Sequence, residues 1–563
     1  MRTLSRWLAP LLVLLACSRP EDGLTTRNAV LITLDTTRAD ALSCYGGRAG
    51  VTPHLDRLAA QGVLFTNART SAPLTLPAHA SMLTGLYPPR HTLRDNGLAP
   101  LPQSALTLAE LARASGVQTF AVVASWVLDP AFGLDQGFDV YDAPQRNAGH
   151  AEPERRAPEV LRAALARLAK RDRSRPFFLW VHFYDPHVPY TPPRAFSEQA
   201  GGDAYLGEVA STDAALGELL AHLESDGTSD STTLVVAADH GESLGEHGEP
   251  THGALCYDST VRVPLLVRWP DARDAGRRED SLVSVVDVFP TLLEALHVEG
   301  PTGVDGVSLS TARAGARGVY CESYSGWLNY GWSPLAAWVD ERAKYLASSQ
   351  PELFDPAHDP RELHDISAKP PLSVAPYDSA LRAVLEGARL PPEHVEAFDP
   401  ALLESLRALG YGATGKAPPS MPSPFETSDL PSPRERAVEL APLALASALA
   451  DAGCPAEALP LLREILAANP HHWLALDYLG MDLVAIGEYA DARAVFERRM
   501  QVGPRRTDAH LNLGGCLELS GDDAAALEHY EAALELDPRQ PTALERRARL
   551  RRKLGLADSP AAQ

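Results

Sequence analysis

Two carboxylates, an imidazole and a hydroxyl in this chain stand where one divalent cation would bring them together. Asp35 closes the run AVLITLD (Ala29–Asp35), and Asp239-His240 close TTLVVAADH (Thr232–His240). Oxygen and nitrogen donors in that combination make a mixed site for a divalent metal. A hydroxyl brought to such a cation becomes a competent nucleophile, because the positive charge stabilises its alkoxide and later the leaving oxyanion. The stretch SAPLTLPAHASMLTGLYP (Ser71–Pro88) supplies that hydroxyl in Thr75, beside the imidazole of His79, and contains no Cys, Lys or carboxylate. Thr75 ends a Pro-bounded loop ahead of a helical segment, and a helix N-terminus there would offer backbone N–H groups to an anion.

These residues need a frame. Besides the two runs above, TFAVVAS (Thr119–Ser125) and PFFLWVHF (Pro176–Phe183) read as buried strands. Helical patterns such as ALTLAELARASG and APEVLRAALARLAKR lie between them. The alternation predicts an α/β domain with a mostly parallel sheet covered by helices on both faces. In such sheets function gathers in the loops beyond the carboxyl ends of the strands. Asp35, His182 with Asp185, and Asp239-His240 all fall there.

Past this domain the pattern changes. Residues 413–434, rich in Pro and Ser and without periodicity, read as a linker. Beyond them Gly453, Gly487 and Gly521 recur every 34 residues, as do Ala458, Ala492, Ala526 and Pro470, Pro504, Pro538. That period, with a small residue at each helix crossing and a closing Pro, is the tetratricopeptide pattern. It predicts an all-α repeat domain over residues 435–556, three repeats and a capping helix, for binding a protein partner.

At 563 residues with 73 acidic and 51 basic side chains, the chain carries a formal net charge of −22, which argues against nucleic acid as a partner. Its six cysteines show no pairing pattern. The N-terminus, MRTLSRWLAPLLVLLACSRP, opens with Arg2 and Arg6, continues in an apolar run too short to span a bilayer, and ends that run in Leu-Leu-Ala-Cys. It resembles a bacterial lipoprotein signal over residues 1–16 with lipidation at Cys17. The expectation is export and anchoring to a membrane, the outer one favoured because Ser18 and not Asp follows.

Seven ordered stretches together resemble the sulfatase family of the alkaline phosphatase superfamily: LITLDTTRADALSCYG, TPHLDRLAAQGVLFTNA, TLPAHASMLTGLYP, VHFYDPHVPY, AADHGESLGEHG with THG, VRVPLLVRWP and DVFPTLLEAL. The resemblance implies an alkaline-phosphatase-like mixed sheet sandwiched by helices, with a smaller C-terminal subdomain, over residues 27–412. It carries metal binding to Asp35, Asp239 and His240, and both nucleophile and metal contact to Thr75. His79 falls where the family signature has Arg. His187 matches the His of a Pro-His-x-Pro segment facing the ester, and His252 lies near a late anion-binding Lys. His182 and His247 are further candidates for the pocket wall.

The departures bear on the chemistry. Sulfatases oxidise Cys or Ser at the Thr75 position to an aldehyde whose hydrate attacks sulfur, and threonine cannot become that aldehyde. An unmodified Thr forms a covalent ester that water must cleave, which is routine at phosphorus with a metal present. His240, where many relatives have Asn, shifts the preference among Mn²⁺, Zn²⁺, Ca²⁺ and Mg²⁺ toward Mn²⁺ or Zn²⁺. Asp185-Pro-His187 lacks the Asp-x-x-x-His spacing of two-zinc phosphodiesterases, so one cation is expected. The leading expectation is a hydrolase or transferase of phosphate or sulfate esters. The alternatives are a true sulfate-ester hydrolase and a non-catalytic scaffold.

Overall fold

The structure is a computed structural model, and it describes residues 27–144, 154–311, 317–368, 373–391, 420–427, 429–503 and 506–556. The signal segment, Cys17 and part of the Pro/Ser-rich stretch lie outside the described residues. Among the described residues no helix is long and apolar enough to cross a membrane.

Eight strands form the main sheet: β1 (Asn28–Leu34), β2 (Val63–Arg69), β3 (Gln118–Val122), β4 (Val140–Asp142), β5 (Phe177–Phe183), β6 (Thr232–Ala238), β7 (Arg262–Arg268) and β8 (Arg277–Ser284), in the order β4-β3-β5-β1-β6-β7-β2-β8. β7 runs against both neighbours and the other pairs are parallel, so the sheet is mixed. The three central strands β1, β5 and β6 are buried along their whole length, which is why they read as unbroken apolar runs.

Register then places the chemistry. Thr33 on β1 pairs with His182 on β5 and Ala237 on β6. Side chains alternate with period two, so Asp35, His182 and Asp239 project from one face at the carboxyl edge of three adjacent strands. A smaller antiparallel sheet, β9 (Val319–Ser323), β10 (Leu335–Val339), β11 (Lys344–Ala347) and β12 (Glu352–Phe354), makes the C-terminal subdomain.

The repeat domain is a run of paired helices from Leu440–Asp451 to Pro541–Lys553. Its small residues do what the period requires: a Cβ on Gly480 would lie 2.3 Å from the Phe496 ring, and one on Gly514 would lie 3.0 Å from Tyr530. The described end of the Pro/Ser-rich stretch joins the domains while laid on the smaller subdomain. Thr427 Oγ1 is 2.6 Å from Ser333 Oγ, and Arg382 covers the Phe425 ring at 4.0 Å.

Ala437 and Leu440 enter one apolar cluster with Ala254, Leu255, Tyr257 and Trp332 of the preceding α/β domain. Trp332 Nε1 donates to Glu439 (3.2 Å), and Asn469 Nδ2 donates to the Tyr330 carbonyl (3.2 Å). Trp332 is fully buried at this junction. Trp332→Ala is expected to cost about 3–5 kcal/mol by emptying that volume, measured by denaturant unfolding. An unchanged midpoint would mean that the two domains do not share this core in solution.

Candidate active site

The hydroxyl sits at the first turn of a fully buried helix, Thr75–Thr84. The residue before it, Leu74, has no side-chain group to cap the helix, and Asn96 does that from outside: its Oδ1 accepts the Leu76 N–H at 3.0 Å. Pro77 has no N–H, and that of Ala78 goes to the Leu74 carbonyl (3.1 Å). Leu76 and Ala78 already donate and Pro77 cannot, so the helix start offers an anion less than its position suggests. Asn96 also holds a buried Nδ2 that has no hydrogen-bond partner. Its type and its Asn-Gly neighbourhood signal only a turn, so sequence reasoning missed it.

Thr75 Oγ1 lies 3.3 Å from His240 Nε2. His240 Nε2 is 3.7 Å from Asp35 Oδ1 and 3.6 Å from Asp239 Oδ2. Atoms bound to one ion at about 2.1 Å lie about 3.0–3.5 Å apart, so a slight contraction makes this a coordination shell. His240 Nδ1 faces the Gly241 carbonyl at 3.0 Å. A carbonyl only accepts, so Nδ1 carries the proton and Nε2 presents its lone pair, the second-layer arrangement of a metal-binding His.

The divalent cation that the resemblance implies fits these donors. Both Asp35 oxygens and Asp239 Oδ2 are buried without a hydrogen-bond partner, a state that costs free energy unless a cation occupies the cluster. Burial raises the carboxyls of Asp35 and Asp239 above the usual range. Burial alone would lower His240, but Asp239 and Asp35 outweigh it and raise that imidazole.

A second group stands against the first. The His252 ring lies 4.4 Å from that of His240 and 5.0 Å from that of His187. His252 Nδ1 is 3.2 Å from Glu242 Oε1, and His187 Nδ1 is 2.7 Å from both Tyr184 Oη and the Val188 carbonyl. Each contact places a proton on Nδ1 and leaves Nε2 an acceptor. Burial holds both rings neutral, His187 down to about 4 and His252 well below its ordinary value. As they stand, these rings accept hydrogen bonds at Nε2 and do not neutralise an anion. Glu242, buried and pushed up to about 7 chiefly by burial, is a further partner not singled out in the sequence.

His79 and His182 also face the cluster. His79 Nδ1 is 3.6 Å from Asp239 Oδ2, and His182 Nε2 is 3.2 Å from Asp35 Oδ2. His182 therefore lies beside the carboxylates, under the sheet edge, and does not form a pocket wall. His247 is not brought in. Its ring stacks on Tyr257 at 3.7 Å and its Nε2 meets the Arg361 carbonyl at 3.0 Å, which ties it to the smaller subdomain.

The loop carrying His252 is closed by Glu249, whose Oε1 accepts the Ala254 N–H (2.7 Å) and the Leu255 N–H (3.2 Å). Burial pushes this carboxyl up to about 8, against those two hydrogen bonds. A carboxyl raised on folding stabilises most below its unfolded value, and that contribution is lost as pH rises through the folded one. Native stability is therefore expected to fall by on the order of 5 kcal/mol between about pH 4.5 and 8 from this group. Glu249→Gln should remove that slope, read from unfolding midpoints at several pH values. An unchanged slope would assign the dependence to other groups.

Residues 27–298 match the family model "Sulfatase", residues 245–386 match "N-sulphoglucosamine sulphohydrolase, C-terminal", and residues 443–498 and 478–541 match "Tetratricopeptide repeat". The chain therefore carries a sulfatase-family domain, with tetratricopeptide repeats toward its C-terminal end. It is 29% identical to an ulvan-active sulfatase of Formosa agariphila over 52% of this chain, and spans 65% of that relative's length. A multifunctional alkaline phosphatase superfamily protein, PehA, of Trinickia caryophylli is 26% identical over 64% of this chain and 95% of its own. The fold is also that of the phosphonate monoester hydrolase of Agrobacterium radiobacter (TM-score 0.54, 24% identity, 64% of this chain and 95% of that one).

Proposed function

We propose that the chain is an exported, divalent-metal-dependent hydrolase or phosphotransferase whose Thr75 hydroxyl attacks a phosphoryl ester. The observation that carries this is Thr75 Oγ1 at 3.3 Å from His240 Nε2, beside Asp35 and Asp239, at the start of a buried helix. Asp35, Asp239, His240 and Thr75 would hold the cation, with Mn²⁺ or Zn²⁺ favoured by the imidazole. When bound, it lowers the pKa of the nucleophile's hydroxyl and stabilises charge on oxygen.

The other residues of the chain have definable tasks. Asn96 keeps the Thr75 turn in place and directs a spare N–H toward the position of an ester oxygen, with the Thr75 N–H as its companion. The Thr75 Oγ–P bond forms as the ester P–O bond breaks, and the Thr75 hydroxyl proton leaves on the displaced oxygen as an alcohol. In the second step water attacks phosphorus, the P–Oγ bond to Thr75 breaks, and the proton of the water passes through His252 Nε2 to restore the Thr75 hydroxyl. Glu242 keeps that ring in the accepting tautomer. An acceptor alcohol replacing the water makes the reaction a transfer.

Anchoring through a lipid on Cys17 and capture of a protein partner by the repeats complete the proposal. Relatives named as sulfatases favour a second reading, in which the same hydroxyl acts on sulfate esters without an aldehyde. A non-catalytic scaffold gains nothing from two buried carboxylates with three oxygens that lack a hydrogen-bond partner, which destabilise a protein that has no cation to put between them.

The test is turnover of matched aryl phosphodiester, phosphate monoester and sulfate by the full chain loaded with Mn²⁺ or Zn²⁺, with and without an acceptor alcohol. Phosphoester turnover above the others supports the proposal. Sulfate turnover alone replaces it with the second reading, and inactivity on all three in a metal-loaded chain overturns both.

A further inference from the structure

The coordination shell of Asp35 Oδ1, Thr75 Oγ1, Asp239 Oδ2 and His240 Nε2 does not exhaust the unpartnered atoms at this site. Asp35 Oδ2, His79 Nε2 and His182 Nε2 are also buried without a hydrogen-bond partner. All three residues are wholly inaccessible to solvent. One such atom is a tolerable defect, costing about 1–3 kcal/mol. Asp35 Oδ2 and His182 Nε2 face only each other, at 3.2 Å, and His79 Nε2 faces no partner, so the group lacks an atom to satisfy it.

They converge. One donor atom each of His79, His182 and Asp239 lie within 4.8 Å of one another. His182 Nε2 is 3.2 Å from Asp35 Oδ2, and the His79 and His182 rings are 5.0 Å apart. The His79 ring is also in the tautomer a ligand needs. Its Nδ1 is 2.8 Å from the Thr75 carbonyl, which fixes the proton on Nδ1 and leaves the lone pair on Nε2.

We propose that His79, His182 and Asp239 form a second divalent-cation position, sharing Asp239 with the first and having Asp35 Oδ2 at its edge. The proposal rests on the first position reading as a cation site. It departs from the sequence-based expectation of one cation, which rested on the spacing of Asp185 and His187. Those residues are elsewhere, since His187 groups with His252 on the far side of His240.

The position also accounts for a departure from the family pattern. His79 stands in the register where relatives carry an arginine, and a neutral ring cannot supply that positive charge to an ester's oxygens. A cation held on its Nε2 can. Two imidazoles and a carboxylate are donors for Zn²⁺ or Mn²⁺ and poor ones for Ca²⁺. One local adjustment is required: His182 Nδ1 is 3.4 Å from the Ala124 N–H, at the outer limit of a hydrogen bond, and that contact opens when Nδ1 becomes protonated on metal binding.

The test is metal stoichiometry, which does not depend on knowing the substrate. The full chain is stripped with chelator, reloaded with Zn²⁺ or Mn²⁺, freed of excess metal and analysed by inductively coupled plasma mass spectrometry. Two equivalents per chain are expected, falling to one in His79→Gln and in His182→Gln, with circular dichroism establishing that each variant is folded. His79→Arg, which places a guanidinium there, is the second safeguard and is also expected to hold one equivalent. In the Mn²⁺ form, exchange coupling in the electron paramagnetic resonance spectrum should be present in the native chain and lost in His79→Gln. A single equivalent in the native chain overturns the proposal and assigns the space to buried water. Two equivalents surviving all three substitutions overturn it equally. One equivalent with Thr75-dependent turnover sinks the second position and leaves the nucleophile standing, and two equivalents with Thr75-independent turnover do the reverse.

Discussion

Thr75→Ala is expected to lower turnover of an activated phosphodiester by about 10³–10⁵-fold while the chain stays folded and keeps bound metal. Removing the hydroxyl abolishes the covalent step, but the carboxylates and His240 remain to hold a cation. Any residual rate reflects direct attack by water in a site that still binds and polarises the ester. Thr75→Ser separates the nucleophile from its methyl group. The serine hydroxyl reaches the same place, so Thr75→Ser should recover the native rate to within about 10-fold, the deficit reflecting looser rotamer control once the β-branch is gone. Burst kinetics on the native chain would show the threonyl ester accumulating when its hydrolysis is the slow step. A Thr75→Ala chain that turns over within a few-fold of native would remove Thr75 as nucleophile, whatever the metal content.

Much of this site was legible because its parts obey simple periodicities. Asp35 and Asp239-His240 follow unbroken apolar runs, and such runs in a parallel sheet end together at the carboxyl edge. Thr75 was legible as a hydroxyl before a helix, in a stretch with no competing nucleophile. Other features depend on pairings that no local pattern encodes. The role of Asn96 comes from its bond to Leu76 across twenty residues of chain. The place of His182 beside Asp35 follows from the β1–β5 register, and a shift of one residue would have turned it to the opposite face. His247 and His252 lie in one loop, five residues apart, yet only His252 turns inward because Glu242 holds it, while Tyr257 stacks on His247. The repeat period was plain, but the docking of Ala437 and Leu440 beside the loop after His252 was not, since Pro/Ser-rich composition reads as a tether.

Asp239→Asn is expected to have opposite effects on the empty and the loaded protein. Asp239 Oδ1 accepts the His240 N–H at 2.8 Å, a bond the asparagine oxygen reproduces. Its Oδ2 has no hydrogen-bond partner, and an amide there removes a buried negative charge next to Asp35. Without metal, Asp239→Asn should therefore unfold later than the native chain, by about 1–2 kcal/mol or a few degrees. The sign with pH follows from the raised carboxyl. Its contribution to native stability is present below the ordinary carboxylate range and is lost as pH rises, so the advantage of the variant grows from pH 5 to pH 8. With metal the order reverses. Asparagine lacks the charge that binds the cation, so affinity should fall at least about 10²-fold and turnover should fall to the level of Thr75→Ala. Thermal unfolding with chelator and with excess Zn²⁺, at both pH values, reads both effects in one experiment. A variant less stable than native in chelator at pH 8 would mean that the carboxylate is needed by the fold itself. The crossing of the two curves is what a cluster assembled around a cation requires, because its charges destabilise the empty fold and stabilise the filled one.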